Sequence, residues 1–296
     1  MQPLCKPIIK STKIFNTFNS ICEAALAGNN NVCSSIFIAP IIFNYININM
    51  TYCLGIKVKE GLVGISDTRI TAGTSTSVKK KVFVVQNDNN SFFIMTSGLR
   101  SVRDKAVHYF QELIDSGIVY NKLYKAVNDF GQQIKRVADE DSAALIKAGY
   151  KFNLNAIVGG QLKGDDEHKL FMLYSEGNWV ELDEGSPYAI IGNAGQGKGI
   201  LNRIIRPTTT LRQALKAGYL SFDSTRVSSN DVEFPIDVVL YKKNSFNMAE
   251  NRYEANELQD ISTQWNEELI KSLDKMPEDW MEKAFMDTNH TTKLNQ

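Results

Sequence analysis

From Tyr52 to Tyr241 the chain alternates short apolar runs of strand length with longer stretches whose apolar positions recur every three to four residues. Tyr52 to Val58 and Leu62 to Ile65 are joined at Lys59-Glu60-Gly61, and apolar runs about a glycine-containing turn predict a β-hairpin. A Gly-Thr-Ser loop follows, and Lys79-Lys80-Lys81 opens a third apolar run, Val82 to Val85. Ser91 to Thr96 reads as a buried strand ending at Ser97-Gly98-Leu99. Val102, Ala106, Tyr109, Phe110 and Leu113 then fall on one face of a helix, as do Leu123, Val127, Phe130, Ile134 and Val137 of a second. A third, short helix is expected at Ser142 to Lys147, ended by Gly149, and His108 reads as a surface or half-buried residue without a partner. Strands are expected again at Asn155 to Gln161, Lys169 to Tyr174, Trp179 to Leu182 and Tyr188 to Gly192, with Gly and Asp or Asn supplying the hairpin turns. Helices at Lys198 to Ile205 and Leu211 to Phe222 precede a last strand, Ile236 to Tyr241. The polar tail, 246–296, carries Leu258, Ile261, Trp265, Leu269 and Leu273 at helical spacing, and a second helix restarts at Met276-Pro277-Glu278-Asp279 with Trp280 and Phe285 as anchors. Those stripes must pack on their own domain or on a neighbouring subunit, and the residues from about Thr288 are expected to be disordered.

Composition narrows the function classes. A chain of 296 residues with 43% hydrophobic content can bury one large core or two small ones. Lys plus Arg number 33, as do Asp plus Glu, so no net basic field argues for nucleic acid. No apolar run approaches the ~20 residues that a membrane-spanning helix needs. The cysteines, at positions 5, 22, 33 and 53, form no C-x-x-C pair and suggest neither a disulfide framework nor a zinc site. Only Cys53 lies in the domain 51–245, which fits a reducing cytoplasm. Residues 1–50 differ in kind: they are rich in Ile and Asn and show no clear period. Their apolar patch, Ile36 to Phe43, comes late, is broken by Pro40, and is followed by no A-x-A-type cleavage site, which argues against a signal peptide. A propeptide, or translation that truly starts at Met50, accounts for this extension, and neither leaves it in the mature protein.

The chemistry centres on Thr51, Asp67 and Lys81, which stand at the head of one strand, the end of the next and the opening of a third. Threonine is a poor nucleophile until a base takes its hydroxyl proton. An N-terminal threonine carries that base itself, an α-amine with an unperturbed pKa of about 7.7–8. A nearby cation such as Lys81, held by Asp67, favours the neutral amine. This requires the chain to begin at Thr51, and an initiator Met before a small residue is normally clipped. On spacing alone, a strand-resident threonine beside a solvated lysine edge is the simpler reading. Gly98 likewise permits close approach to its backbone, as an oxyanion-binding amide needs, and equally suits a plain strand-to-helix turn. Gly192 to Gly199 satisfies G-x-x-x-x-G-K, but Gly199 stands where a Ser or Thr must reach magnesium, and no second acidic strand follows, which argues against nucleotide binding.

Thr51…Asp67-Thr68-Arg69-x-Thr71-x-Gly73…Lys80-Lys81-Val82-Phe83 resembles the start of a mature proteasome β-type subunit, most of all the bacterial branch called Anbu, whose chains open Met-Thr-Tyr-Cys. The likeness continues through Ala156 to Gln161, Gly177-Asn178-Trp179, Asp223-Ser224-Thr225 and Pro235-Ile236-Asp237, and covers about Thr51 to Lys243, roughly two thirds of the chain. It implies an α+β fold, the four-layer αββα sandwich of N-terminal nucleophile hydrolases, over residues 51–245, with the helical tail 246–296 appended. It also implies Thr51 as nucleophile, Asp67 and Lys81 as tuning residues, Gly98 as oxyanion donor, and no metal or cofactor. Peptide or unfolded protein is then the substrate, and the chain self-associates in a ring or an open helical assembly. The side chain before the cut would be read near Ile70, Thr71, Lys79 and Arg100, and the cations among them suggest an acidic preference. The sequence departs from the pattern in two places. Met50 replaces the usual Gly before the nucleophile. Asn193 or Ala194 stands where a serine is usual. Which of Ser228, Ser229, Asn230 and Asp231 supports the nucleophile is left open. A catalytically silent assembly subunit and a non-peptide amidase of the same fold are the rival expectations.

Overall fold

The computed structural model of the protein describes residues 51–72, 75–87 and 91–290. The expected extension over residues 1–50 lies outside the described residues, as does the end of the tail beyond His290. The leading hairpin forms as its apolar pattern requires: β1 (Tyr52–Val58) and β2 (Gly61–Asp67) pair antiparallel with Cys53 opposite Ser66 and Leu54 opposite Ile65. Two strands from far along the chain flank it, β10 (Tyr188–Gly192) on β1 and β11 (Ile236–Lys242) on β2. With β12 (Met248–Tyr253) at the edge, the first sheet has the order β10-β1-β2-β11-β12. The second sheet runs β5 (Val82–Gln86), β6 (Ser91–Gly98), β7 (Leu154–Gly160), β8 (Lys169–Leu173) and β9 (Trp179–Glu181), all antiparallel neighbours in chain order.

Both faces of β1 and β2 are covered, which is why these strands are almost wholly apolar rather than alternating. Tyr52, Leu54, Ile56, Val63 and Ile65 pack with Leu201 of α3 (Lys198–Ile204) and with Ala214, Ala217 and Phe222 of α4 (Leu211–Ser228). Cys53 and Leu62 join a second core with the other sheet and with α1 (Arg100–Asp115) and α2 (Leu123–Lys147). Glycines let the sheets approach: a Cβ on Gly64 would lie 3.2 Å from the Phe93 ring, and one on Gly55 2.8 Å from Ile157. Phe110 of α1 meets Phe130 of α2 edge to face at 5.3 Å.

Several elements differ from expectation. The segment Ser142 to Lys147 is no separate helix but the last turns of α2, a single helix of 25 residues. The acidic stretch before it interrupts nothing, because Lys105 of α1 pairs with both Glu140 and Asp141. Helix α4 continues beyond Phe222 to Ser228 and buries Asp223 and Thr225, the first paired with Arg226 at 2.8 Å. On either side of the expected Gly-Thr-Ser loop, whose Gly73 and Thr74 lie outside the described residues, β3 (Arg69–Ala72) and β4 (Ser75–Val78) pair as two strands that were not foreseen. The strand Ile236 to Tyr241 is not the last, since the tail begins with β12 and not with a helix. Arg252 of β12 holds the buried Asp237 at 2.7 Å. Helix α5 (Ala255–Leu273) follows, then a single 3₁₀ turn and α6 (Glu282–His290), so Thr288 to His290 are helical. His108 is exposed but has a neighbour, Glu112, at 3.4 Å one turn on. Among the described residues no helix is long and apolar enough to cross a membrane, and no cluster of His, Cys, Asp and Glu is arranged to hold a metal.

Candidate active site

The adjacent ends of the two sheets bring the chemistry together. Thr51 immediately precedes β1, Asp67 ends β2, Lys81 immediately precedes β5 and Gly98 ends β6. Asp67 is fully buried and is the hub of the group. Its Oδ1 accepts from the backbone N–H of Tyr52 at 2.9 Å and from the Lys81 ammonium at 2.7 Å. The residue after Thr51 is thereby tied to the same carboxylate that holds Lys81. Oδ2 of Asp67 finds no partner among the described residues. Burial pushes the Asp67 carboxyl up from the usual 3.8 to about 6, against the opposing pull of the Lys81 charge and of the hydrogen bonds it accepts.

Thr51 is itself buried, and its carbonyl accepts from the Asn193 N–H at 2.7 Å. Gly192 makes that contact possible: it adopts φ +90°, and a Cβ there would lie 2.0 Å from the Thr51 oxygen. The phosphate-loop-like glycine run is thus used for packing, and Gly197 likewise sits where a Cβ would fall 2.2 Å from Ser221 Oγ. The Tyr52 hydroxyl hydrogen-bonds Ser221 Oγ at 2.7 Å, anchoring the start of β1 to α4. Gly98, at φ +142°, has no room for a side chain, since a Cβ would lie 2.1 Å from the Asn153 carbonyl. The Cys53 thiol, pushed well up by burial, donates to the Thr96 carbonyl at 3.6 Å and stays inside the core.

A cleft of about 240 Å³ opens on these groups, with Thr51, Lys81 and Gly98 in its lining beside Arg69, Ile70 and Arg100. Of the expected substrate-binding residues, Ile70 and Arg100 are therefore in the cleft. Lys79 is not: its N–H is tied to the Thr68 carbonyl at 2.8 Å, and it lines a neighbouring hollow with Lys80, Asp237 and Glu250. Thr71 pairs with Thr76 in the β3–β4 hairpin, and its side chain lies outside the described residues. None of Ser228, Ser229, Asn230 and Asp231 lines the cleft, and Ser228 returns its hydroxyl to the Ser224 carbonyl of its own helix. Sequence reasoning missed Arg69 as a cleft residue, although it stands in the Asp67-Thr68-Arg69 motif. It also missed Ser77 and Arg103, which the unforeseen hairpin and the first turn of α1 bring to the lining.

The proteasome subunit family matches residues 49–239 of this chain. Among solved structures, a Gly-1 mutant of Anbu from Hyphomicrobium sp. strain MC1 is 29% identical, covering 77% of this chain and 98% of its own, with a TM-score of 0.71. Anbu from Yersinia bercovieri, described as an ancestral beta-subunit, is 28% identical over 77% of this chain and 98% of its own, with a TM-score of 0.71. The helical assembly of the Anbu complex from Pseudomonas aeruginosa is 26% identical over 77% and 97%, with a TM-score of 0.72. No curated protein matches.

Proposed function

The chain belongs to the proteasome subunit family, and on that premise we propose that it is a threonine-type hydrolase that cleaves peptide bonds, with Thr51 as its N-terminal nucleophile. The observation that carries this reading is the convergence on one carboxylate oxygen: Asp67 Oδ1 holds both the Lys81 ammonium and the backbone of the residue after Thr51. In the mature chain, begun at Thr51, the α-amine accepts the hydroxyl proton as Thr51 Oγ attacks the substrate carbonyl carbon. The resulting ammonium returns that proton to the leaving amine as the C–N bond breaks, leaving an ester on Thr51. Water then attacks the ester, gives a proton to the same amine, and the C–Oγ bond breaks with the proton passing back to Thr51. Lys81 favours the neutral amine by its charge. The Gly98 amide stabilises the oxyanion, a role that its place in the cleft lining beside Thr51 supports.

In this reading the two sheets and their helical covers are the four-layer αββα sandwich of N-terminal nucleophile hydrolases, and the protein works in the cytoplasm. It also self-assembles, as the Anbu complex of P. aeruginosa does in its helical assembly. A peptide epoxyketone tests the chemistry: the Thr51-initiated protein is expected to gain one covalent adduct, mapped to Thr51. Complete failure to label leaves a silent assembly subunit. Labelling without cleavage across a peptide library leaves a non-peptide amidase.

A further inference from the structure

We infer that Ser221 is a positioning residue for the nucleophile: it aims Thr51 and its amine through two tethers that meet on it, the Tyr52 hydroxyl and the glycine loop that holds the Thr51 carbonyl. This rests on the hydrolase reading above and adds a residue that lies outside the cleft lining. A first residue frays unless it is tied down. The chemistry, by contrast, needs amine, hydroxyl and substrate carbonyl in one geometry, where a misplacement of about 1 Å can cost roughly 100-fold in rate. In a chain begun at Thr51 no upstream residue supplies that hold. It must come from the residues that follow and from what they touch.

Ser221 is fully buried in α4. Its Oγ shares a hydrogen bond of 2.7 Å with the hydroxyl of Tyr52, the residue next to the nucleophile, whose backbone N–H donates to Asp67 Oδ1. Tyr52 is fully buried as well, and its ring meets Phe222 edge to face at 6.0 Å, so the ring is packed without help from its hydroxyl. What the hydroxyl adds is direction: it fixes where the ring, and the strand start that carries it, sits along α4. Ser221 also abuts Gly197, where a Cβ would lie 2.2 Å from the serine Oγ and 2.7 Å from its carbonyl oxygen. Gly197 closes the loop that leaves β10 at Asn193, and the Asn193 N–H donates to the Thr51 carbonyl at 2.7 Å. Thr225 donates its hydroxyl to the Ser221 carbonyl at 2.9 Å, which pins this turn of α4. One route to Thr51 runs through the side chain after it and the other through its carbonyl, and both start from the same serine.

The test compares Ser221→Ala, Tyr52→Phe and the double variant in the Thr51-initiated protein, well below their melting temperatures. Each single change is expected to lower kcat for a fluorogenic peptide roughly 10- to 100-fold with KM nearly unchanged, and to slow epoxyketone labelling of Thr51 in step. The double variant leaves no buried hydroxyl unpartnered, so it should regain the stability that the single changes lose while kcat stays low. Tyr219→Phe is the control. It breaks a hydroxyl pair of the same length on the same helix, Tyr219 with Ser262 at 2.7 Å, and should leave kcat within about two-fold. Single variants that lose stability but keep their kcat overturn the inference. So does a double variant with the original kcat, or a control that loses as much. In each of those cases the unmodified protein still labels and cleaves, and the hydrolase reading stands. If the unmodified protein does neither, both fall together.

Discussion

Around Thr51 the single chain finishes its own construction. Asp67, Lys81 and Thr51 are all buried, and three strands and a helix bring their partners to them. Helices α5 and α6 and the 3₁₀ turn between them are built on other terms: Leu269, Leu273 and Trp280 are 47%, 70% and 74% exposed, and Ile270 and Met286 are also open to solvent. Tyr219 fastens α5 to the body, its hydroxyl donating to the Leu258 carbonyl at 3.0 Å and meeting Ser262 at 2.7 Å. Beyond that tie the apolar side is uncovered. Of the residues expected to bury against the core or a neighbour, Leu269 and Trp280 are exposed and Trp265 is half-buried. The buried Asp67–Lys81 pair is thus completed within one chain, whereas the tail keeps apolar side chains exposed, whose burial on a partner would be worth about 25 cal/mol per Å².

The sharpest way to break this contrast is at the site. Thr51→Ala should abolish peptide cleavage, a loss of roughly a thousand-fold or more in kcat/KM, while leaving the melting temperature almost unchanged. A comparable loss of melting temperature would mean that the hydroxyl is structural. Next in size is Lys81→Met, which leaves the Asp67 charge buried and unpaired. It should cost about 3–5 kcal/mol of stability as well as activity, read by chemical denaturation. Lys81→Met with Asp67→Leu should regain most of that stability but none of the activity, which separates the fold from the chemistry.

Acid offers a gentler probe. Asp67 has a folded pKa of about 6 against the usual 3.8, so the folded state holds its proton more tightly than the unfolded one. The contribution of this group to stability is therefore greatest below about pH 4, declines as pH rises to about 6, and is constant above. Activity runs the other way, because Lys81 needs the ionised carboxylate: turnover should fall toward a tenth per pH unit below about 6. The α-amine must also be neutral to act as base, so a pH–rate profile shows both titrations, and Asp67→Asn should remove only the added steepness below about pH 6 along with most of the rate. The smallest effect on the domain itself is expected at the open end. Leu269→Glu with Trp280→Ala should shift stability by no more than about 0.5 kcal/mol each, yet reduce the assembled mass seen by light scattering. An unchanged assembly would place the contacts elsewhere.

How much of this was legible in the chain depended on whether burial left a mark. β1, β2 and β6 are covered on both faces and announce themselves as continuous apolar runs. β12 did not, because it lies at a sheet edge and only Met248 of its residues is buried. The polar Ser-Thr-Ser of β4 likewise carries no hydrophobic signal, so the hairpin that shapes the cleft read as a loop. That Thr51, Asp67, Lys81 and Gly98 stand at adjacent strand ends was legible because a strand's head or end fixes where a residue emerges. The exchange of Lys79 for Arg69 was beyond reach, since it turns on the Lys79 N–H bonding to the Thr68 carbonyl, a backbone path that no side-chain pattern records. The extent of α2 was not legible because no apolar position of the stripe falls on Asp139, Glu140 or Asp141, of which Lys105 and Arg136 pair with the last two.

Everything in the proposed chemistry depends on a free amine at Thr51, and the intact mass of the protein isolated from its host reads that directly. The account predicts a mass equal to residues 51–296, with Met50 and everything before it gone. A mass that retains Met50 or any longer extension would leave the Thr51 nitrogen in a peptide bond, unable to accept the hydroxyl proton, and would contradict the mechanism.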